Sequence, residues 1–199
     1  MIVSDEGAHP GSTGRKPRAD SVRNRERLIE AAKAGFAEVG PEVSLDEIAR
    51  RAGVGIGTLY RHFPTRDAMV EAVYRREVRQ LAEAAERLLA DMSPGAALHG
   101  WMRMFVDYVA TKKVIASAVG AMVGGASALY ANSGVSITDE LARLVKAAAA
   151  AGEIRPDVDA DDILRALVGF AYANSAPGWQ DSALRLIDIL MDGLKPATS

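Results

Sequence analysis

Cysteine is absent from the 199 residues. Neither disulfides nor thiolate-bound metals can contribute, and a reducing cytoplasm is the expected setting. Histidine occurs three times, at His9, His62 and His99, too far apart in sequence for HExxH or a comparable local metal pair. There is no P-loop and no Ser/His/Asp arrangement with local support. No metal and no cofactor are therefore expected, and the chain does not read as an enzyme. No apolar run reaches the roughly 20 residues that span a bilayer. The opening MIVSDEGAHPGSTGRKPRAD lacks the apolar core of a secretion signal, so no membrane partner is expected. No stretch alternates apolar and polar residues as a half-buried strand does, and repeats and heptads are missing as well. The expected class is all-α.

What remains is a globular composition, with 49% hydrophobic and 25% charged residues. The net charge of −2 conceals an asymmetry. Arg15 to Arg79 carries 14 Lys and Arg against 10 Asp and Glu, whereas Leu81 to Ser199 carries 10 against 14. A basic front suits contact with a polyanion. The acidic pairs Asp139-Glu140 and Asp161-Asp162 stand at expected helix starts, where the helix dipole explains them.

Residues 1–19 hold little to bury and read as a flexible tail, with GRKPR (14–18) either near phosphate or simply solvated. From about Val22, the apolar residues Leu28, Ala32, Phe36 and Val39 recur at helical spacing until Gly40-Pro41. Ser44 and Glu47 form a capping box for a short helix ending at Gly53, with Val43 and Ile48 as its staple. A brief helix from about Ile56 to Phe63 stops at Pro64. Thr65 caps a longer helix containing Met69, Val73, Leu81 and Leu88. Ser93-Pro94 is a good helix start. Residues 112–137 read as looser, and further helices are expected at about 138–151, 159–174 and 182–194. About nine helices result, with a DNA-binding unit over 20–66 and a second unit over 67–199.

The three glycines of RAGVGIGTLYRHFPT (51–65) invite comparison with a dinucleotide-binding loop. That loop must follow a strand and open a long helix. Here a capped amphipathic helix precedes it, Thr58 holds the third glycine's place, and Pro64 ends the next helix after two turns. A helix-turn-helix fits instead. Gly53 takes the left-handed turn at little cost. Ala49, Ala52, Val54 and Leu59 are small or apolar where the helices cross. Gly55 and Gly57 leave the second helix without bulk where it would approach DNA. Ile56, Thr58, Tyr60, Arg61 and His62 offer apolar, hydroxyl, aromatic and basic groups to a major groove and its phosphates.

The stretch LIEAAKAGFAEVGPEVSLDEIARRAGVGIGTLYRHFPTRDAMVEAV resembles the DNA-binding domain of the TetR family of transcriptional regulators. IARRAGV, GTLYRHF and PTRDAMV are its most specific parts. The family often has serine where this chain has Gly55, and a polar residue where it has Ile56, so base preference does not transfer. The resemblance implies double-stranded, palindromic operator DNA as partner. It places Ser44 beside phosphate, makes Tyr60 and His62 a phosphate-gripping pair, and leaves Thr58 as a base or phosphate contact. Arg25 and Arg27 could meet the adjacent backbone; Arg50, Arg51 and Arg61 are contacts or solvated charges.

The resemblance also implies a homodimer and a small apolar or aromatic effector. Candidate interface residues are Leu164, Leu167, Val168, Ala171, Leu186, Ile187, Leu190 and Leu194, with one intramolecular core as the plainer reading. Candidate effector contacts are Trp101, Met102, Phe105, Tyr108, Met122, Tyr130, Phe170, Tyr172, Asn174 and Trp179, with ordinary core packing as the plainer reading. Asp107 and His99 are further polar candidates. The expected function is a ligand-released repressor. The alternatives are a DNA-binding regulator without a small-molecule ligand and a helical protein-binding adaptor.

Overall fold

A computed structural model describes residues 16–119, 133–173 and 177–196. The expected effector contacts Met122, Tyr130 and Asn174 lie outside the described residues, as do positions 1–15 of the expected tail. Among the described residues there are eight helices and no strand: α1 (Lys16–Val39), α2 (Leu45–Ala52), α3 (Ile56–His62), α4 (Arg66–Asp91), α5 (Pro94–Val119), α6 (Ser133–Ala150), α7 (Ala160–Tyr172) and α8 (Trp179–Leu194).

Several boundaries differ from the sequence reading. α1 opens at Lys16, about two turns before its apolar pattern begins, because exposed charged residues continue a helix at little cost. α5 runs to Val119 and α6 begins at Ser133, so much of the stretch expected to be loose is helical. α8 starts at Trp179, after Gly178 in the left-handed region (φ 81°).

α1, α2 and α3 close around Leu28, Ile29, Phe36, Ile48, Leu59 and Phe63, all buried. Each such side chain contributes on the order of 1.5–3 kcal/mol of transfer free energy. Gly35 permits the close approach: a Cβ there would stand 3.3 Å from Val43. α4 packs against both α1 and α5 and is fastened to α1 by charge. Arg76 meets Glu30 at 2.7 Å, and Lys33 meets the buried Glu77 at 2.7 Å. Arg66 of α4 donates to the Val43 carbonyl at 2.7 Å. The three N-terminal helices therefore ride on α4 and cannot reorient without disturbing buried polar groups.

The start of α5 is capped from a distance. The Ser93 hydroxyl, expected to cap the helix, instead donates to Glu153 Oε2 at 2.8 Å, and the Gly95 N–H donates to the same oxygen at 2.9 Å. Glu153 follows α6, whose end is closed by Gly152 (φ 70°) and by the Glu153 N–H donating to the Ala148 carbonyl. One carboxylate thus ties two helix ends together.

Candidate nucleic-acid interface

The geometry of the turn is set by its caps. Ser44 is the N-cap of α2: its Oγ accepts from the Glu47 N–H at 3.1 Å. The reciprocal half of the expected capping box does not form. The Glu47 carboxylate turns to Arg50 at 2.7 and 2.8 Å and to Arg51 at 2.7 Å. Those hydrogen bonds hold its pKa below the ordinary value. Two guanidiniums outcompete one backbone amide because charge-assisted bonds are stronger.

Gly53 adopts φ 61°, ψ 39°, donating to the Arg50 carbonyl while Val54 donates to that of Ala49. This pair of bonds is a complete Schellman closure. α3 then leaves at an angle, with Gly55 as its N-cap in extended conformation and no side-chain cap. A Cβ on Gly55 or Gly57 would meet nothing within 4 Å. The backbone at the start of α3 therefore faces open space.

Leu59 and Phe63 anchor α3 from beneath, both fully buried. Above them Ile56 is 37% and Tyr60 48% exposed. Arg61 is exposed, and Thr58 and His62 are half-buried. Arg61 folds back on its own helix, donating to the Gly57 carbonyl at 3.2 Å and to Thr58 Oγ1 at 3.1 Å. Arg25 of α1 sits with its guanidinium 5.1 Å from the Phe63 ring centroid. Neither Arg25 nor Arg61 meets a carboxylate among the described residues, whereas Arg50 and Arg51 are both held by Glu47. α1 and α3 border a concavity of about 400 Å³ lined by Asp20, Ser21, Asn24, Thr58, Arg61 and His62. All eight DNA-contact candidates, Arg25, Ser44, Gly55, Ile56, Thr58, Tyr60, Arg61 and His62, are at least partly exposed. Gly55, Ile56, Thr58, Tyr60, Arg61 and His62 come together on α3 and its cap.

The interface candidates divide. Leu167, Ala171, Ile187 and Leu194 are buried inside the chain, in its hydrophobic core. Leu164 and Leu190 are half-buried against that core. The apolar surface left open on α7 and α8 is Val168 at 41%, Tyr172 at 51%, Leu186 at 38% and Ile189 at 66% exposure. Gly169 and Gly193 lie on the same helices, with nothing within 4 Å of an added Cβ. Ile189 is the most exposed of the four, and neither it nor Tyr172 stands among the interface candidates of the sequence. Their signal was helical spacing from Val168 and Leu186, on helices whose girth is apolar on two sides.

The effector candidates divide as well. Trp101, Met102, Phe105 and Tyr108 are all buried. Trp101 stacks on Phe105 with ring centroids 5.9 Å apart, and Phe105 meets Tyr108 at 5.7 Å. The Tyr108 hydroxyl lies 3.2 Å from that of Tyr74, and the Trp101 indole donates to the Leu81 carbonyl at 2.9 Å. All four belong to the hydrophobic core. Phe170 is half-buried against the same core. Trp179 does line a cavity, of about 300 Å³, between α1, α5 and the start of α8. His99 lies elsewhere, paired with Asp188 at 2.7 Å.

Residues 28–73 match the profile of bacterial regulatory proteins of the tetR family, and residues 93–196 match the C-terminal domain of SbtR-like transcriptional regulators. Among curated proteins, the HTH-type transcriptional regulator SAB2452 of Staphylococcus aureus is 31% identical over 98 residues, covering 49% of this chain and 51% of that protein. The HTH-type transcriptional regulator BetI of Yersinia pestis is 41% identical over 70 residues, covering 35% of each. The chain therefore spans about half the length of one of these curated relatives and a third of the other. Among solved structures, the TetR transcriptional regulator SCO0520 of Streptomyces coelicolor superposes with a TM-score of 0.79 at 44% identity, over 87% of this chain and 99% of that one. A TetR regulatory protein of Mycobacterium vanbaalenii gives 0.73 at 37% identity, over 90% and 99%.

Proposed function

This chain belongs to the TetR family of DNA-binding transcriptional regulators, and from that premise we propose that it is a cytoplasmic, ligand-responsive repressor that grips palindromic operator DNA as a homodimer. The observation that carries this reading is the outward presentation of α3, anchored by Leu59 and Phe63 and bare of side chains at Gly55 and Gly57. Ile56 and Thr58 read base edges. Tyr60, His62 and Ser44 hold phosphate oxygens and fix the register. Arg61 leaves its intrahelical bonds and Arg25 its place over Phe63 to meet the backbone, since neither meets a carboxylate among the described residues. The DNA-binding unit covers residues 20–66, and residues 67–199 form the regulatory unit.

Dimerisation places α7 and α8 against their symmetry mates through Val168, Tyr172, Leu186 and Ile189, forming a four-helix contact. Gly169 and Gly193 let the helices approach closely. A small, mainly apolar effector then shifts the spacing of the two α3 helices away from one DNA turn, about 34–36 Å. By linkage, it weakens DNA binding by the same factor by which DNA weakens effector binding. Selection from random duplexes with the purified protein tests the reading. A palindrome with half-sites one turn apart is expected. An asymmetric consensus, or no enrichment, rejects it.

A further inference from the structure

We propose that the cavity between α1, α5 and the start of α8 is the effector site, and that it takes a small aromatic monocarboxylate with its ring against Phe36 and Trp179 and its carboxylate on Lys113. This deepens the ligand-responsive reading and rests on it. The cavity, about 300 Å³, is at the lower end of small-molecule sites and admits little more than a one- or two-ring compound. Phe36 and Ala37 of α1, Val114 of α5 and Trp179 of α8 supply its apolar walls.

Lys113 supplies the charge. Its ammonium lies 3.9 Å from the Trp179 ring centroid and 4.9 Å from that of Tyr172, and it donates to the Ala171 carbonyl. Among the described residues it meets no carboxylate. Burial pushes its pKa down, because taking a cation out of water disfavours its charged form. An incoming carboxylate supplies a counter-charge. Asp107 also lines the cavity, and its charge repels a second anionic group, which favours a monoacid over a diacid.

The position makes the site regulatory. Lys33 and Phe36 belong to α1, on which α2 and α3 pack, while Lys113 and Trp179 belong to the regulatory unit. A molecule filling the cavity touches both parts at once. Lys33 also holds the buried Glu77 of α4, whose second oxygen has no hydrogen-bond partner. A shift of α1 at this point is therefore felt directly by the helix that carries the DNA-binding unit.

The test uses the full chain labelled with 5-fluorotryptophan, which gives one fluorine signal for Trp179 and one for the core residue Trp101. Titration with phenylacetate and 1-naphthoate is expected to move the Trp179 signal and leave that of Trp101 in place. Neutral 1-naphthamide is expected to bind at least about tenfold more weakly, the scale of a hydrogen bond to a charged group. Lys113→Met should abolish the preference for the acid and Lys113→Arg should restore it. No movement of the Trp179 signal with either acid at millimolar concentration overturns the proposal. So does equal affinity of wild type for acid and amide, a comparison that decides even if Lys113→Met fails to fold. Operator retention without any acid is measured in parallel. DNA binding with a silent Trp179 sinks the site alone, whereas absence of DNA binding sinks the regulator reading.

Discussion

Tyr60 and Ile56 stand one turn apart on α3 and are both exposed, yet their expected roles differ. Tyr60→Phe and His62→Ala are expected to weaken binding to operator and random duplexes alike, because phosphate contacts carry no sequence information. Arg61→Ala should also reduce the salt slope by about 1. Ile56→Ala or Thr58→Ala should change the selected sequence while leaving non-specific affinity in place. Fluorescence anisotropy across duplexes and salt concentrations separates the two classes. At Glu153 the expectation concerns stability. Its carboxylate accepts from both Ser93 and the Gly95 N–H, so Glu153→Ala should cost about 1–3 kcal/mol in chemical denaturation. A Cβ on Gly95 would lie 2.6 Å from the same carboxylate. Gly95→Ala should therefore break the same contact, and the double variant should lose less than the two single losses together.

At the scale of the element, the three glycines of the turn have separate reasons. Gly53 occupies the left-handed region, so Gly53→Ala should destabilise the chain by about 1–2 kcal/mol. The added Cβ would also stand 2.7 Å from Arg27. Gly57 lies inside α3 with open space before it, and Gly57→Ala should stabilise by about 0.5–1 kcal/mol. Gly57→Leu should keep the chain folded but block approach to the duplex. Melting curves and DNA titrations on the same variants distinguish a glycine kept for conformation from one kept for clearance. Much of this was legible in the sequence because capping is local: Ser44, Gly53, Pro64 and Thr65 punctuate the chain within a few residues of where they act. The failures at Glu47, which was expected to close the capping box, and at Ser93 have a common cause. In each case a stronger charged partner captured a side chain that local spacing had assigned to the backbone, and at Ser93 that partner lies 60 residues away.

For the whole molecule, the contrast between two residues of α8 is decisive. Ile187 is fully buried and Ile189 is 66% exposed. Ile187→Ala should cost about 2–5 kcal/mol of stability by leaving a cavity. Ile189→Arg should leave the fold of the single chain intact and shift the population toward monomer in sedimentation velocity. An unchanged dimer in Ile189→Arg removes α8 from the interface. The sequence reading merged these residues into one apolar helix. Periodicity reports that a side of a helix is apolar, and two apolar sides look alike until the neighbours of each are placed.

The residues alone determined the helical class, the turn at Gly53 and the outward set on α3, because caps, breakers and 3.6-residue spacing act over a few positions and need no distant partner. Tertiary structure alone decided that Trp101, Phe105 and Tyr108 are buried in a core, that Glu153 closes α5, and that Lys113 lies beside two rings and meets no carboxylate among the described residues. Each of these depends on which surfaces meet across tens of residues, and burial and charge pairing belong to the assembled set of helices, not to any one of them.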